Sequence, residues 1–385
     1  MRYNPKLHQS RSVIKRRSIQ IPILASFVVL WLSLFIYQKH LQNRVKEETT
    51  IITPDGINSL EKITLGGIDQ WVLIRGWSKS NPVLLFLHGG PGAPLFTYAR
   101  EIGVKAKLEQ HFVMVYWEQR GTGKSFSPNI PEESMTIEQF ISDTYELVEL
   151  LRYRFKAPKI FLVGRSWGSI IGIFTVKRHP ELFYAYVGIG QIVNSLENDK
   201  ISYQFTLETA ARLGNEKALK DLEEIGPPPY DYKKLIIQRK WLTEFSKIIM
   251  AEKTGKGYPI SNSRIKLLST PEYSLIDILK MGIDPYFSIK HLWDDEYYRI
   301  NLFEQVPQIG LPVYFLAGRY DYFTPSEIVE QYYQRLIAPK GKHFIWFENS
   351  GHEPEFEEPE KFYDILVNKV LEKAINLDYP LDLYR

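Results

Sequence analysis

Strand-length apolar runs alternate with segments of helical periodicity through most of this chain. Residues 83–87 and 112–117 are continuous apolar runs, which is typical of strands buried on both faces of a sheet. Residues 136–155 carry their apolar side chains on one helical face, and Thr136 with Gln139 fits a capping box at the start of that helix. This alternation predicts a mainly parallel sheet with helices on both faces.

The same pattern divides the predicted sheet into two parts. Residues 54–190 begin with a predicted hairpin, and residues 302–385 resume the alternation with predicted strands near 312–317 and 343–347. The intervening residues 191–301 are rich in Lys, Glu and Tyr and favour helices without a convincing buried strand. We therefore predict an α/β core in two parts, with a helical cap inserted between them.

The N-terminal region has a different pattern. Residues 18–38 carry no charged side chain and are largely apolar, and they follow a basic head at residues 1–17. About twenty helical residues rise about 30 Å, enough to cross a hydrocarbon core. We predict a transmembrane helix at 18–38, with Trp31 and Tyr37 as interface anchors, and a linker at 39–53. A cleaved signal peptide is the main alternative, but no pair of small residues follows the apolar run.

Basic residues are concentrated in that same region. Nine of the 48 Lys and Arg residues lie in residues 1–46, which contain no acid, and the other 39 are outnumbered by 45 acidic residues. This bias predicts a cell-membrane protein with a cytoplasmic N-terminus and an extracytoplasmic globular part. It argues against nucleic acid as a partner. The chain has no cysteine, which excludes disulfides and thiolate chemistry.

A serine between two glycines follows one predicted strand of the sheet. Residues 160–163 are apolar and lead into Gly164-Arg165-Ser166-Trp167-Gly168, and a further apolar stretch follows. A strand that turns sharply into a helix exposes one hydroxyl at the turn, and the flanking glycines avoid collisions there. Ser166 is therefore a candidate nucleophile, although the motif alone also occurs by chance.

Candidates for a base and its orienting acid follow two later predicted strands. Asp321 comes shortly after the strand at 312–317, and His352 after the strand at 343–347. The carboxyl ends of parallel strands meet at one edge of a sheet, and the order Ser166, Asp321, His352 is that of α/β-hydrolases. Taken singly, an aspartate here could cap the next helix, and a turn histidine is commonly structural.

Acyl transfer also requires N–H donors for the oxyanion. We predict the backbone N–H groups of Trp167 and of Gly90, which lies in the segment His88-Gly89-Gly90-Pro91-Gly92. His88 is interpreted as a residue that fixes this loop rather than as a second base. Residues 121–125 are glycine-rich but lack the spacing of a phosphate loop. No spacing of histidines and carboxylates indicates a metal site, and we expect no cofactor.

Several of these segments together resemble the prolyl iminopeptidase branch of the α/β-hydrolase superfamily, over about residues 55–190 and 305–375. The segments that carry the resemblance are His88-Gly89-Gly90-Pro91-Gly92, Trp117-Glu118-Gln119-Arg120-Gly121-Thr122-Gly123-Lys124-Ser125, Ser166-Trp167-Gly168-Ser169 and Gly318-Arg319-Tyr320-Asp321. The resemblance implies an α/β-hydrolase fold with a helical cap. It also implies a Ser-Asp-His hydrolase that releases an N-terminal residue, often proline, from short peptides.

The chain departs from that branch at several positions. The branch commonly has Asp where Glu118 stands and Gly where Arg165 stands, and its members do not usually carry a membrane anchor. The branch holds the substrate's free amine with carboxylates of the cap. Four glutamates are candidates for this role, and each is also explained as a solvated helix residue. They are Glu208, Glu223, Glu224 and Glu244.

The sequence therefore predicts a membrane-anchored serine hydrolase that acts as an aminopeptidase on short peptides. Ser166 attacks, His352 transfers the proton and Asp321 orients His352. Two alternatives use the same residues differently. An esterase would apply the same triad to a carboxylic ester, and a non-catalytic membrane-tethered binding protein would retain the fold without turnover.

Overall fold

The computed structural model describes residues 6–255 and 263–374. The side chains of residues 6–25, 27, 263–264 and 284 are not described. Side chains of the predicted basic head and of the first part of the predicted transmembrane helix therefore lie outside the described residues. The chain divides into two compact units, one of residues 1–50 with 262–275 and one of residues 51–261 with 276–385.

Within residues 51–255 and 276–374, which the structure describes in the larger unit, eight strands form one sheet. They are β1 (Ile57–Leu65), β2 (Ile68–Gly76), β3 (Val83–Leu87), β4 (Val113–Glu118), β5 (Ile160–Arg165), β6 (Phe183–Ile189), β7 (Val313–Gly318) and β8 (Lys342–Phe347). Their spatial order is β1-β2-β4-β3-β5-β6-β7-β8. The hairpin β1–β2 and the pair β2–β4 are antiparallel, and every later pair is parallel.

The burial of each strand agrees with its place in this order. Strand β1 is buried at both ends and alternates between half-buried and exposed positions in between, as expected of an edge strand with one solvated face. Strands β3, β4, β6 and β7 are buried at every position, because helices cover both faces of the sheet's centre. The carboxyl ends of β3 to β8 meet at one edge of the sheet, and this edge carries the candidate site.

Helices connect the strands and form the inserted segment. They are α1 (Lys6–Glu48), α2 (Phe96–Arg100), α3 (Ile137–Phe155), α4 (Trp167–Arg178), α5 (Ser195–Arg212), α6 (Glu216–Ile225), α7 (Tyr232–Thr254), α8 (Ser263–Ser269), α9 (Leu275–Lys280), α10 (Asp284–Leu292), α11 (Asp295–Tyr298), α12 (Leu302–Gln305), α13 (Ser326–Arg335), α14 (Pro354–Glu357) and α15 (Pro359–Asp364). At the start of α3, Thr136 Oγ1 accepts a hydrogen bond from Gln139 N at 3.2 Å. The capping box is incomplete, because the Gln139 side chain donates to Asp143.

The segment inserted between β6 and β7 begins and ends at adjacent positions, which are hydrogen-bonded to each other. Ser195 N donates to Ile300 O at 3.1 Å, and Leu302 N donates to Val193 O at 2.8 Å. Helices α5, α6 and α7 pack against one another in this segment. We call residues 194–255 and 276–301 the cap.

In the smaller unit, α1 packs on α8 and the turn that follows it. Gln42 donates through Nε2 to Thr270 O at 2.9 Å, and Gln38 donates to Tyr273 O at 3.1 Å. The helix continues through residues 39–48, which sequence analysis assigns to a linker. Among the described residues, no helix combines the length and the apolar character needed to span a bilayer. The predicted transmembrane helix is therefore not supported.

Candidate active site

Ser166 occupies the turn between β5 and α4 in a backbone conformation that side chains rarely adopt. Its φ is +50° and its ψ is −118°, and its N–H donates to Ile189 O at 2.9 Å. A Cβ at Gly164 would lie 2.6 Å from Gly168 O, and one at Gly168 would collide with Leu87 O. Both glycines are therefore required by the close approach of α4 to the sheet, and this strained turn exposes the serine.

Asp321 and His352 lie together beyond the ends of β7 and β8. His352 Nδ1 is 2.9 Å from Asp321 Oδ2. The other oxygen of Asp321 accepts the backbone N–H groups of Phe323 and Thr324 at 2.9 and 3.0 Å. Asp321 is therefore held by its own turn rather than by the helix α13, which begins at Ser326 with Pro325 as its N-cap residue.

The charge of Asp321 is stabilised where it lies. Burial by itself would raise the pKa of this carboxyl, but His352 and the hydrogen bonds from His352 and Thr324 hold the pKa below its ordinary value. A carboxylate that accepts the Nδ1 proton keeps Nε2 of His352 free to act as a base. The ring of Phe323 stacks on His352 at 5.0 Å and fixes its orientation further.

The loop after β3 lies beside the serine. A Cβ at Gly89 would be 3.2 Å from Ser166 Cβ, and Gly90, at φ +122°, lines the same cavity as Ser166. His88 is buried, and its two ring nitrogens contact Gly89 O at 2.7 Å and Gln119 N at 3.1 Å. Burial lowers its pKa to about 4, so it is neutral at pH 7. These contacts are the ones expected of a residue that fixes the loop, and that role stays a prediction.

A cavity of about 250 Å³ joins these groups to the cap. The residues that line it are Gly90, Pro91, Ser166, Ile192, Leu235, Arg239, Ile289, Trp293, Tyr297, Phe323, Thr324 and His352. A larger cavity of about 490 Å³ opens at the amino ends of β6, β7 and β8, at the opposite edge of the sheet. The smaller cavity is the candidate site, because Ser166 and His352 both line it.

Comparison with known proteins agrees with this geometry. A family model described as the alpha/beta hydrolase fold matches residues 82–224. The probable aminopeptidase YbaC of Bacillus subtilis (strain 168) is 38% identical over 312 residues, which cover 80% of this chain and 94% of that protein. The chain belongs to the α/β-hydrolase superfamily. The predicted fold class is confirmed for the hydrolase core.

Two further similarities extend the comparison. A proline iminopeptidase of Saccharolobus solfataricus is 26% identical over 78% of this chain and 88% of that protein, and the predicted resemblance to this branch is confirmed. A solved structure described as a membrane phospholipase A has a TM-score of 0.61 at 18% identity, and it covers 94% of this chain and 99% of that one. At that identity the likeness shows the fold alone.

Glu118 departs from the hydrolase branch and has a defined role in this chain. It is fully buried, and its Oε1 accepts Leu95 N at 3.1 Å and Phe96 N at 3.4 Å. Its Oε2 accepts Lys124 N at 2.7 Å. One carboxylate therefore joins the loop after β3 to the turn after β4, and the longer side chain spans both.

Arg165, the second departure, joins the serine turn to the segment after His352. Its Nη2 lies 2.7 Å from Glu353 Oε1, and its Nε lies 2.7 Å from Glu355 Oε1. Glu355 is completely buried, and burial raises its pKa although Arg165 opposes the shift. These partners explain why an arginine stands before the serine. Sequence reasoning missed the pairing.

The four cap glutamates do not reach the cavity. Glu208, Glu223, Glu224 and Glu244 are exposed on cap helices, and none lines the cavity, as the interpretation as solvated helix residues predicts. Sequence reasoning missed Arg239 and Thr324, which do line it. Within the part of the chain that the structure describes, no cluster of three His, Asp or Glu side chains could hold a metal ion.

Proposed function

We propose that this α/β-hydrolase is a serine aminopeptidase that releases N-terminal residues from short peptides through an acyl-enzyme. The observation that carries the proposal is the contact of 2.9 Å between His352 and Asp321 beside a cavity that Ser166 lines. The similarity to a probable aminopeptidase over 94% of that protein supports the peptide substrate.

The proposed mechanism uses the residues in four roles. Ser166 Oγ attacks the scissile carbonyl carbon while His352 takes its proton, and Asp321 stabilises the imidazolium that results. The N–H groups of Trp167 and Gly90 bind the developing oxyanion. His352 then protonates the leaving amine, and water attacks the acyl-enzyme with His352 again as base. No cofactor is required.

The test compares matched substrates on the purified chain and on Ser166→Ala. Free prolyl and alanyl arylamides should be hydrolysed, and their N-blocked forms should be hydrolysed poorly. Ser166→Ala should lose at least about 10³-fold in kcat and should no longer react with a fluorophosphonate. Unchanged turnover in Ser166→Ala would reject Ser166 as the nucleophile.

A carboxylic-ester hydrolase is the second candidate, and one observation favours it. No Asp or Glu occurs among the described residues that line the cavity, whereas a free α-amine is best bound by a carboxylate. An esterase would prefer aryl esters and would be indifferent to a free amine. The ratio of kcat/KM for an alanyl arylamide and for an aryl ester of similar acyl size separates the two candidates.

We further propose that the N-terminal region holds the enzyme at the cell membrane with its N-terminus in the cytoplasm. Support comes from the uncharged residues 18–38 behind a basic head. Large apolar side chains of α1 are also exposed, including Val29, Leu30 and Ile36. Fractionation and external protease treatment test this. The full chain should sediment with membranes and be cleaved from outside, and its recovery in the soluble fraction would contradict the proposal.

A further inference from the structure

The cavity contains one permanent cation. Besides the titratable His352, Arg239 is the single charged side chain among the described residues that line the cavity, and most of the others are apolar. Arg239 belongs to the cap helix α7, so it faces the serine and the histidine from the cap side. A cation in an otherwise apolar cavity selects for the charge of the group that enters.

Arg239 is held in place by its neighbours. Its Nη2 donates to Asp199 Oδ1 at 2.6 Å, and its Nη1 donates to Gln238 Oε1 at 2.7 Å. The guanidinium carbon lies 5.2 Å from the Trp293 ring centre. The side chain is therefore oriented before any substrate binds, which reduces the entropy cost of a further contact.

Donors remain on Arg239 after these contacts. A guanidinium has five N–H groups, and among the described residues two of them have hydrogen-bond acceptors. The side chain is 21% exposed and lines the cavity. Asp199, completely buried, is not in contact with the cavity, and it also accepts the Tyr298 hydroxyl at 3.0 Å, which spreads its charge. The guanidinium can therefore donate hydrogen bonds to Asp199 and to a second carboxylate at the same time.

We propose that Arg239 binds a carboxylate on the acyl part of the substrate, so that this enzyme prefers N-terminal Glu or Asp residues to neutral ones. This inference rests on the proposed hydrolase function, but it holds equally for amides and esters. For an ester, the corresponding substrate is a half-ester of a dicarboxylic acid. The competing role for Arg239 is purely structural, because its pair with Asp199 joins helices α5 and α7 of the cap.

Two isosteric substrate pairs test the proposal. The α-(4-nitroanilides) of Glu and Gln form the amide pair, and the monomethyl ester of succinate with methyl 4-methylpentanoate forms the ester pair, followed by titration of the acid released. The wild type should favour the charged member of each pair by about tenfold or more in kcat/KM. Arg239→Gln should lower this preference by about 10- to 100-fold, mainly through KM, and Arg239→Lys should retain part of it.

The matched control is Arg212→Gln. Arg212 of α5 pairs with Glu252 of α7 at 3.0 Å on the exposed side of the same two helices, away from the cavity. This variant should keep the substrate preference of the wild type. The double variant Arg239→Gln, Asp199→Asn removes the buried charge that Arg239→Gln leaves, and it should show the same loss of preference if the single variant folds poorly.

The outcomes separate the two proposals. A wild type that favours the neutral members, or an equal preference in wild type and Arg239→Gln, overturns the carboxylate subsite. Hydrolysis of the esters alone, with the charged preference intact, removes the aminopeptidase and leaves the subsite. Calorimetric binding of the Glu and Gln anilides to Ser166→Ala makes the same comparison without turnover, and equal Kd values would contradict the subsite.

Discussion

The two walls of the cavity are built by different means. On the core wall, Ser166 and His352 line the cavity, and Asp321 contacts His352 without lining it. All three follow the ends of parallel strands, and backbone groups hold Ser166 and Asp321 in place. On the cap wall, Arg239 lies on helix α7 and Trp293 lies between helices α10 and α11. Side-chain contacts hold them in place. The core wall is therefore defined by the topology of the sheet, and the cap wall by packing.

From this difference we expect the core wall to determine the rate of the chemical step and the cap wall to determine which substrates are accepted. Backbone contacts at strand ends tolerate many changes of sequence elsewhere, so a triad can be preserved while the cap varies. Side chains on the cap can change individually without moving Ser166. Substitutions in the core wall should therefore lower kcat for every substrate, whereas substitutions in the cap wall should change KM and the choice of substrate.

The largest expected effect comes from Asp321→Asn. The amide keeps the size of the carboxylate but loses its charge, so it favours the wrong tautomer of His352, and kcat should fall about 10³- to 10⁴-fold. The pKa of Asp321 is held below its ordinary value, so the wild-type carboxylate stays charged from pH 5 to 8 and the loss should persist across that range. Steady-state kinetics on one arylamide and one ester measure it, with Asp364→Asn as control. If Asp321→Asn raised KM and left kcat unchanged, the proposed difference between the core wall and the cap wall would be wrong.

The next effect concerns the contact that joins two loops of the core wall. Arg165→Met leaves the buried Glu355 without its cation and should lower the free energy of unfolding by about 3 kcal/mol. Arg165→Met with Glu355→Gln should recover most of that loss. Arg154→Met, which breaks a half-exposed pair with Glu61, is the control and should cost less than about 1 kcal/mol. Urea unfolding measures all three. Equal losses in both single variants would show that Arg165 has no special role.

Glu357 lies near the same loop and makes a smaller, pH-dependent contribution to the free energy of unfolding. Burial and the nearby carboxylates of Glu353, Glu355 and Asp321 raise its pKa to about 8. Between about pH 4.5 and pH 8 the unfolded chain loses this proton while the folded chain keeps it, so stability falls as pH rises through that window. Glu357→Gln should match the wild type near pH 4 and exceed its unfolding free energy by on the order of 2 kcal/mol at pH 8.

Melting temperatures from pH 4 to pH 9 measure this difference. Glu372→Gln changes an exposed carboxylate of the same C-terminal segment and should shift little with pH. Gly351 N donates to Glu357 Oε2 at 2.7 Å, and the glutamine oxygen can accept the same bond. A gap between variant and wild type that does not grow with pH would place the carboxylate of Glu357 in a charged, solvated state.

The sequence predicts the core wall well for a physical reason. Buried parallel strands must be continuous apolar runs, and β3 occupies the predicted residues 83–87. Polar residues that follow such runs must lie at one edge of the sheet, so Ser166, Asp321 and His352 could be proposed together before any coordinates. Their catalytic roles remain predictions.

The contacts of Arg165 and Arg239 could not be predicted in the same way. Arg165 pairs with Glu353, which lies 188 positions later in the chain, and no local period encodes that pairing. Helix α7 has apolar side chains around much of its circumference, so its pattern does not say which side faces the cavity. Which cap side chains line the cavity depends on how the helices pack, and that information is absent from single-chain periodicity.

The smallest effect tests the cap wall directly. Ile289 is half-buried and lines the cavity, so Ile289→Ala should enlarge the space for the acyl group without moving Ser166. Discrimination between acyl chains that differ by one or two methylenes should change by about tenfold, through KM, while kcat stays within about twofold. Ile237→Ala is the control, because Ile237 is similarly buried on α7 but does not line the cavity. A series of 4-nitrophenyl esters from acetate to hexanoate measures both constants. A fall in kcat across the whole series would mean that the cap also positions the catalytic groups, and the two walls would then act as one.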